Sequence, residues 1–196
     1  MPSRRDLLKA AAAILLVRDA LAQGRVEKGV RRSQGDVRIT GERIDTGADG
    51  EVVFVVGRDA MLVRRNSSLT LAASGFRLVT GAVLSVFAPG GRRTLRTETA
   101  TIGIRGTGLY LEAEPQRTYV CTCYGEAVLE AVGDPAARET VRTRHHEQPR
   151  YIMAQGAPQM LMAAPVINHS DAELEMLEAL VGRKPPFEPG QPYTPP

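Results

Sequence analysis

From residue 37 to about residue 153 the chain alternates short β-branched, apolar pieces with turn residues. Residues 51–56 (EVVFVV) follow the turn-like Gly47-Ala48-Asp49-Gly50. Residues 68–71 precede Ser74-Gly75, and residues 76–79 precede Thr80-Gly81. Residues 84–87 run into Pro89-Gly90-Gly91, which predicts a hairpin tip with residues 94–97 as the returning strand. Residues 117–131 form one long strand or two shorter ones broken at Gly125, and residues 139–144 form another after the turn at Gly133-Asp134-Pro135. Strands roughly every ten residues predict an all-β fold: a short-stranded sandwich or roll, or a short β-solenoid. No repeat is regular enough to set a solenoid period.

The pattern changes at Ser170. Ser170-Asp171-Ala172-Glu173 is a capping box. Leu174, Leu177, Ala179, Leu180 and Val181 then give a helical apolar face that stops at Gly182. The Pro-rich end that follows has no packable pattern. The organisation read from the chain is therefore residues 1–22 as a leader, 23–169 as a β domain, and 170–196 as a capped helix and tail.

The leader reading rests on Arg4-Arg5, an apolar run over residues 10–17 and Ala20-Leu21-Ala22. A basic start, a short apolar core and a small-residue site make a secretory signal, and the paired arginines resemble the twin-arginine export signal. The run is far shorter than the ~20 residues that span a bilayer, so no transmembrane span is expected in the mature chain. The expected location is the periplasm, with membrane association if the signal is retained. Twin-arginine export, by resemblance, implies folding before transport and favours a bound metal or other group. Arg4, Arg5, Lys9 and Arg18 against Asp6 and Asp19 give the leader two of the three formal positive charges of the chain. The mature protein is thus nearly neutral and has no basic run with interleaved aromatics, which argues against nucleic-acid binding.

Residues 100–112 (ATIGIRGTGLYLE) interrupt a β-branched run with Gly103, Gly106 and Gly108. Glycine weakens a strand interior unless backbones approach closely or the strand bulges. The GIRGTG element resembles the closing motif of the FecR-type periplasmic domain, named for the ferric-citrate transport regulator. Residues 37–47 (VRITGERIDTG) resemble that family's opening turn and residues 66–71 (NSSLTL) its middle segment, so the resemblance covers about residues 35–112. It implies a periplasmic β domain that binds an envelope protein or small ligand, an accessory of signalling or transport. Members that relay transporter state to a sigma factor carry a cytoplasmic segment and a transmembrane helix, to which this chain's N-terminus has no counterpart. Arg105 and Thr107 are the motif's candidate ligand-binding residues; the alternative is that they tie neighbouring backbone groups together at a tight β corner.

Cys121 and Cys123 are the only cysteines, and His145, His146 and His169 the only histidines. On a strand, residues i and i+2 share a face, with Cα atoms ~6.5 Å apart. Three readings follow: ligation of zinc, copper or iron by the thiolates with imidazoles, a strained and easily reduced disulfide, or packing without chemistry. His146 and His169 are the leading imidazole candidates, with His145 next. His145 and His146 are adjacent and face opposite ways in extended backbone, so only one is expected at a site. Glu147 is a candidate extra ligand or orienting group. No nucleophile elbow, phosphate loop or paired-carboxylate pattern is present, and the protein reads as a non-enzyme. The catalytic alternative is a thiol of Cys121 or Cys123 with His145 or His146 as base. The main functional expectation is the FecR-type binding module; the alternative is a metal- or cofactor-binding redox protein.

Overall fold

The β-branched pieces pair into one branched sheet in the computed structural model, which describes residues 25–188. The predicted leader and the end of the Pro-rich tail lie outside the described residues. A five-residue helix, α1 (Arg25–Gly29), leads into β1 (Val30–Gln34), β2 (Val37–Thr40), β3 (Arg43–Thr46), β4 (Glu51–Val56), β5 (Asp59–Val63) and β6 (Ser68–Ala72). Then come β7 (Gly75–Val86), β8 (Arg92–Arg96), β9 (Ala100–Glu114), β10 (Arg117–Ala131), β11 (Asp134–Thr143), β12 (Arg150–Met153) and β13 (Leu161–Ala163). The helix α2 (Asp171–Leu180) closes the series. No helix among the described residues is long and apolar enough to cross a membrane.

The all-β expectation holds, and the pairings select between its forms. All are antiparallel except β7–β8, whereas a solenoid stacks parallel strands. That parallel pair also corrects the predicted hairpin tip at residues 89–91. β8 does not return along the end of β7; it runs beside its start, with Phe76 opposite Leu95. The end of β7 pairs instead with β5 and β9. Residues 117–131 are one strand, pairing with β9 along its length, with β12 near its start and with β11 beyond Gly125.

Both faces of β10 are buried. Val120 joins a large core with Phe54, Phe76, Leu78, Leu95, Ile102 and Leu111. Tyr119, Cys121 and Cys123 point the other way, into a second core with Leu62, Leu84, Tyr110 and two leucines of α2. Farther along, Ala127 and Leu129 return to the first core, so the alternation has changed phase. The cause is a pair of register shifts: Thr122 faces Leu109, Tyr124 faces Gly108, and Glu126 faces Arg105. Cys123 is the extra residue on β10, and the extra residue on β9 follows beside Gly106. The two offsets cancel, so pairing resumes in its original register while both strands have exchanged faces.

The glycine motif makes this possible. Gly106 sits at φ 61°, the left-handed region, as bulge residues often do. Gly108 lies under the Tyr124 ring, where an added Cβ would come within 2.3 Å of a ring carbon. Gly103, in contrast, has nothing nearer its missing Cβ than Val128, at 4.0 Å. Gly108→Ala should therefore cost about 1–3 kcal/mol by overpacking, and Gly103→Ala should stay within about 0.5 kcal/mol of the parent. Urea denaturation of the two variants checks this; equal effects would mean that Tyr124 does not depend on the glycine floor.

Candidate metal centre

Strand alternation places the two sulfurs on one buried face, beside the β bulge. Cys121 and Cys123 are free thiols and each is 0% exposed. β11 pairs with β10 as far as Thr143 opposite Gly125, which delivers the following turn to the end of the cysteine segment. There the His146 N–H donates to the Cys123 carbonyl oxygen at 2.9 Å. His169 arrives from the far side, in the loop before α2, with its ring stacked on Tyr110 at 4.6 Å between centroids.

One donor atom from each of Cys121, Cys123, His146 and His169 lies within 4.8 Å of the other three. The Cys121 Sγ–His146 Nδ1 separation is 3.3 Å, and His146 Nδ1–His169 Nε2 is 3.1 Å. Four ligands at ordinary Zn–S and Zn–N bond lengths around a tetrahedral ion are about 3.3–3.8 Å apart. Two separations are already near those values and all lie within 4.8 Å, so the set can close on a Cys₂His₂ ion.

Each imidazole is oriented from outside the cluster. His169 Nδ1 lies 2.6 Å from the Ile167 carbonyl oxygen, which can only accept, so Nδ1 carries the proton. His146 Nε2 lies 3.0 Å from Asp171 Oδ1, and by the same argument donates to it. In their neutral forms both rings then turn acceptor nitrogens inward, toward each other and toward Cys121. Two acceptor lone pairs at 3.1 Å repel unless a cation or an added proton stands between them. Carboxylate and carbonyl partners on the outer nitrogens are the usual support of metal-bound histidine.

The same contacts set the thiol electrostatics. Burial opposes ionisation of Cys121, but hydrogen bonds from Cys123, His146 and His169 outweigh it and hold this thiol well below its usual range. Cys123 is driven well above that range, first by burial and then by its neighbour Cys121. Burial also opposes protonation of His146, yet the bond and charge of Cys121 and those of Asp171 raise its pKa. The Cys121–His146 pair is thus biased toward thiolate and imidazolium, and Cys123 toward its neutral thiol.

His145 was expected to face away from a site containing His146. Instead His146 takes a left-handed conformation, φ 62°, at a cost of about 1–2 kcal/mol. Both rings then meet one carboxylate: His145 Nε2 lies 2.7 Å from Asp171 Oδ2. His145, His146 and Asp171 form a second acid–imidazole group beside the first, and Phe187 stacks on His145 at 4.4 Å. Glu147 does not join either group. Its Oε2 accepts the Arg144 and His145 backbone N–H groups at 2.9 and 3.0 Å and so caps the turn.

Asp171 is the residue that sequence reasoning missed. It was read only as part of the helix cap, and that cap forms: Glu173 Oε2 accepts the Ser170 N–H at 3.0 Å. The same first turn gives Asp171 the geometry to face both histidines. Arg105 and Thr107 lie apart from this cluster. Thr107 is fully buried and donates to the Glu126 carbonyl oxygen at 3.0 Å, while Arg105 lines an exposed groove of about 420 Å³ with Arg92 and Arg138.

Beyond the ligands, α2 sets a buried polar cluster against the sheet. Tyr124 Oη donates to Glu178, which also receives Arg183 Nε at 2.6 Å, and Glu178 is only 3% exposed. Burial pushes the Tyr124 hydroxyl far up, and Glu178 adds to the shift. The two fully buried leucines of α2, Leu174 and Leu177, contribute about 3–6 kcal/mol together.

Comparison with solved structures places this fold beside two crystal structures of a proposed anti-sigma factor from Parabacteroides distasonis, determined at 2.50 and 1.65 Å. The TM-score is 0.51 to each, with 8% and 10% sequence identity over 62% and 64% of this chain. The chain spans 58% and 59% of the lengths of those structures. No family model and no curated protein matches the sequence. The likeness is one of fold.

Removing the buried carboxylate tests how α2 is held. Glu178→Ala would leave the Tyr124 hydroxyl buried without its partner and the half-buried Arg183 with only the Arg58 carbonyl oxygen, and should cost about 3–5 kcal/mol. Arg77→Ala, which breaks the exposed Arg77–Glu98 pair, should change stability by less than about 0.5 kcal/mol. Denaturation curves for the two variants measure the difference.

Proposed function

We propose that this protein is an exported, metal-holding β module that serves a cell-envelope signalling or transport system through a protein partner. The observation that carries the metal reading is the inward turn of two thiols and two acceptor nitrogens, with both imidazoles fixed from outside by Asp171 and Ile167. Two thiolates and two imidazoles in tetrahedral array favour Zn²⁺, and four protein ligands leave no open position for substrate. The ion's role is then structural, in keeping with a non-enzyme. The signalling part rests on the resemblance of the GIRGTG motif to the FecR-type domain and on the anti-sigma-like fold. The leader-like residues 1–22 support export to the periplasm.

Full-length protein expressed with its leader and recovered from the periplasm provides the test. Elemental analysis should find about one ion per chain and identify it among zinc, copper and iron. The Cys121→Ser, Cys123→Ser double variant should lose it. Asp171→Ala keeps all four ligands and should weaken affinity about 10–100-fold, as read by chelator competition. Metal-free protein that refuses added zinc, with two titratable thiols or a Cys121–Cys123 disulfide, would defeat the metal reading.

A further inference from the structure

The candidate ligands come from two bodies of structure. Cys121 and Cys123 belong to β10, inside the sheet. His169 belongs to the segment over residues 164–187, which lies across the outer face of that sheet and includes α2, packed on β5 and β7. His146, in the turn after β11, stands between them and is tied to the segment through Asp171. Under the segment lie Val53, Leu62, Leu84, Val86, Tyr110 and Tyr119, each at most 1–2% exposed. From the metal reading of the preceding subsection, we infer that residues 164–187 are a cover locked by the ion, and that loss of the ion opens it and uncovers this apolar face.

Outside the buried Tyr124–Glu178–Arg183 cluster, the other polar ties of the cover are of a kind that water can replace. Tyr119 Oη donates to the Pro165 carbonyl oxygen at 2.9 Å, Asn168 Nδ2 donates to Glu112 at 2.7 Å, and Arg64 reaches the Asn168 carbonyl oxygen and Glu173. One polar atom of its underside, Arg183 Nη2, is buried without a hydrogen bond. Only Leu174 and Leu177 of α2 are fully buried apolar anchors. Without the ion, the tie that joins His169 of the cover to Cys121 and Cys123 of the sheet is gone. The sheet has no such dependence. Its larger core, on the opposite face, contains no residue of the cover. The predicted change is therefore local opening within a folded protein.

Hydrogen exchange read by mass spectrometry on the purified full chain tests this, with metal content measured on the same samples. Zinc-loaded protein is compared with protein stripped by a strong chelator, and with His169→Ala, which removes one ligand of the cover together with its ring stack on Tyr110 and changes no residue of the sheet. In both cases amides of residues 171–181 should exchange at least about 100-fold faster. Amides of residues 100–105 and 127–131 should keep their protection, and zinc added back to the stripped protein should restore residues 171–181. Stripped protein whose residues 171–181 stay protected would overturn the cover. So would loss of protection throughout the sheet, which would make the ion a staple for the whole fold. A chain that never takes up zinc overturns both readings, and the metal measurement distinguishes that case from failure of the cover alone.

Discussion

A strand has two faces, and β10 must bury both. That constraint governs the rest of the molecule. A strand buried on one side could leave its second face polar and wet; β10 instead directs Val120 into one core and Tyr119, Cys121 and Cys123 into another. The second face needs its own covering layer, which the long excursion after β11 and the helix α2 provide. The paired bulges near Gly106 and Cys123 then exchange the faces, so that Ala127 and Leu129 serve the first core and Glu126 and Glu130 turn outward. The cysteines stand at this crossover, where the backbone has already left ideal strand geometry.

How much of this was legible follows from the range of each interaction. The strands at residues 51–56 and 68–71 announce themselves through β-branched residues between turn signals, and α2 through its capping box. The same local logic failed at residues 89–91. Pro-Gly-Gly suggests a hairpin, but the partner of β8 is the beginning of β7, which the local pattern does not reveal. The site was legible in its ingredients because the chain offers only two cysteines and three histidines. Its assembly was not. A left-handed His146 cannot be read from a His-His pair, and Asp171 lies 25 positions beyond His146 along the chain.

The GIRGTG motif changes meaning in the same light. It reads first as a candidate ligand element centred on Arg105 and Thr107. In the fold, Gly106 and Gly108 permit the bulge and the seat of Tyr124, and Tyr124 in turn holds Glu178 of α2. The motif thus prepares the layer that covers the cysteines, at one remove from any chemistry. Likeness to the Parabacteroides distasonis structures is one of fold, and at 8–10% identity it carries no information about the thiols.

A disulfide between Cys121 and Cys123 is the natural rival to a metal in an oxidising compartment, and the nitrogens argue against it. Oxidation would satisfy the sulfurs alone. It would remove the thiolate that favours protonation of His146, while leaving His146 Nδ1 and His169 Nε2 facing each other at 3.1 Å. Their outer nitrogens could not relieve the conflict by exchanging tautomers, because Asp171 and the Ile167 carbonyl oxygen each require a donor. A cation resolves the repulsion of the nitrogens and the ionisation of both sulfurs together. On the metal reading proposed above, the arrangement of proton acceptors outside the ring of four is what separates a metal cradle from a pair of cysteines near histidine.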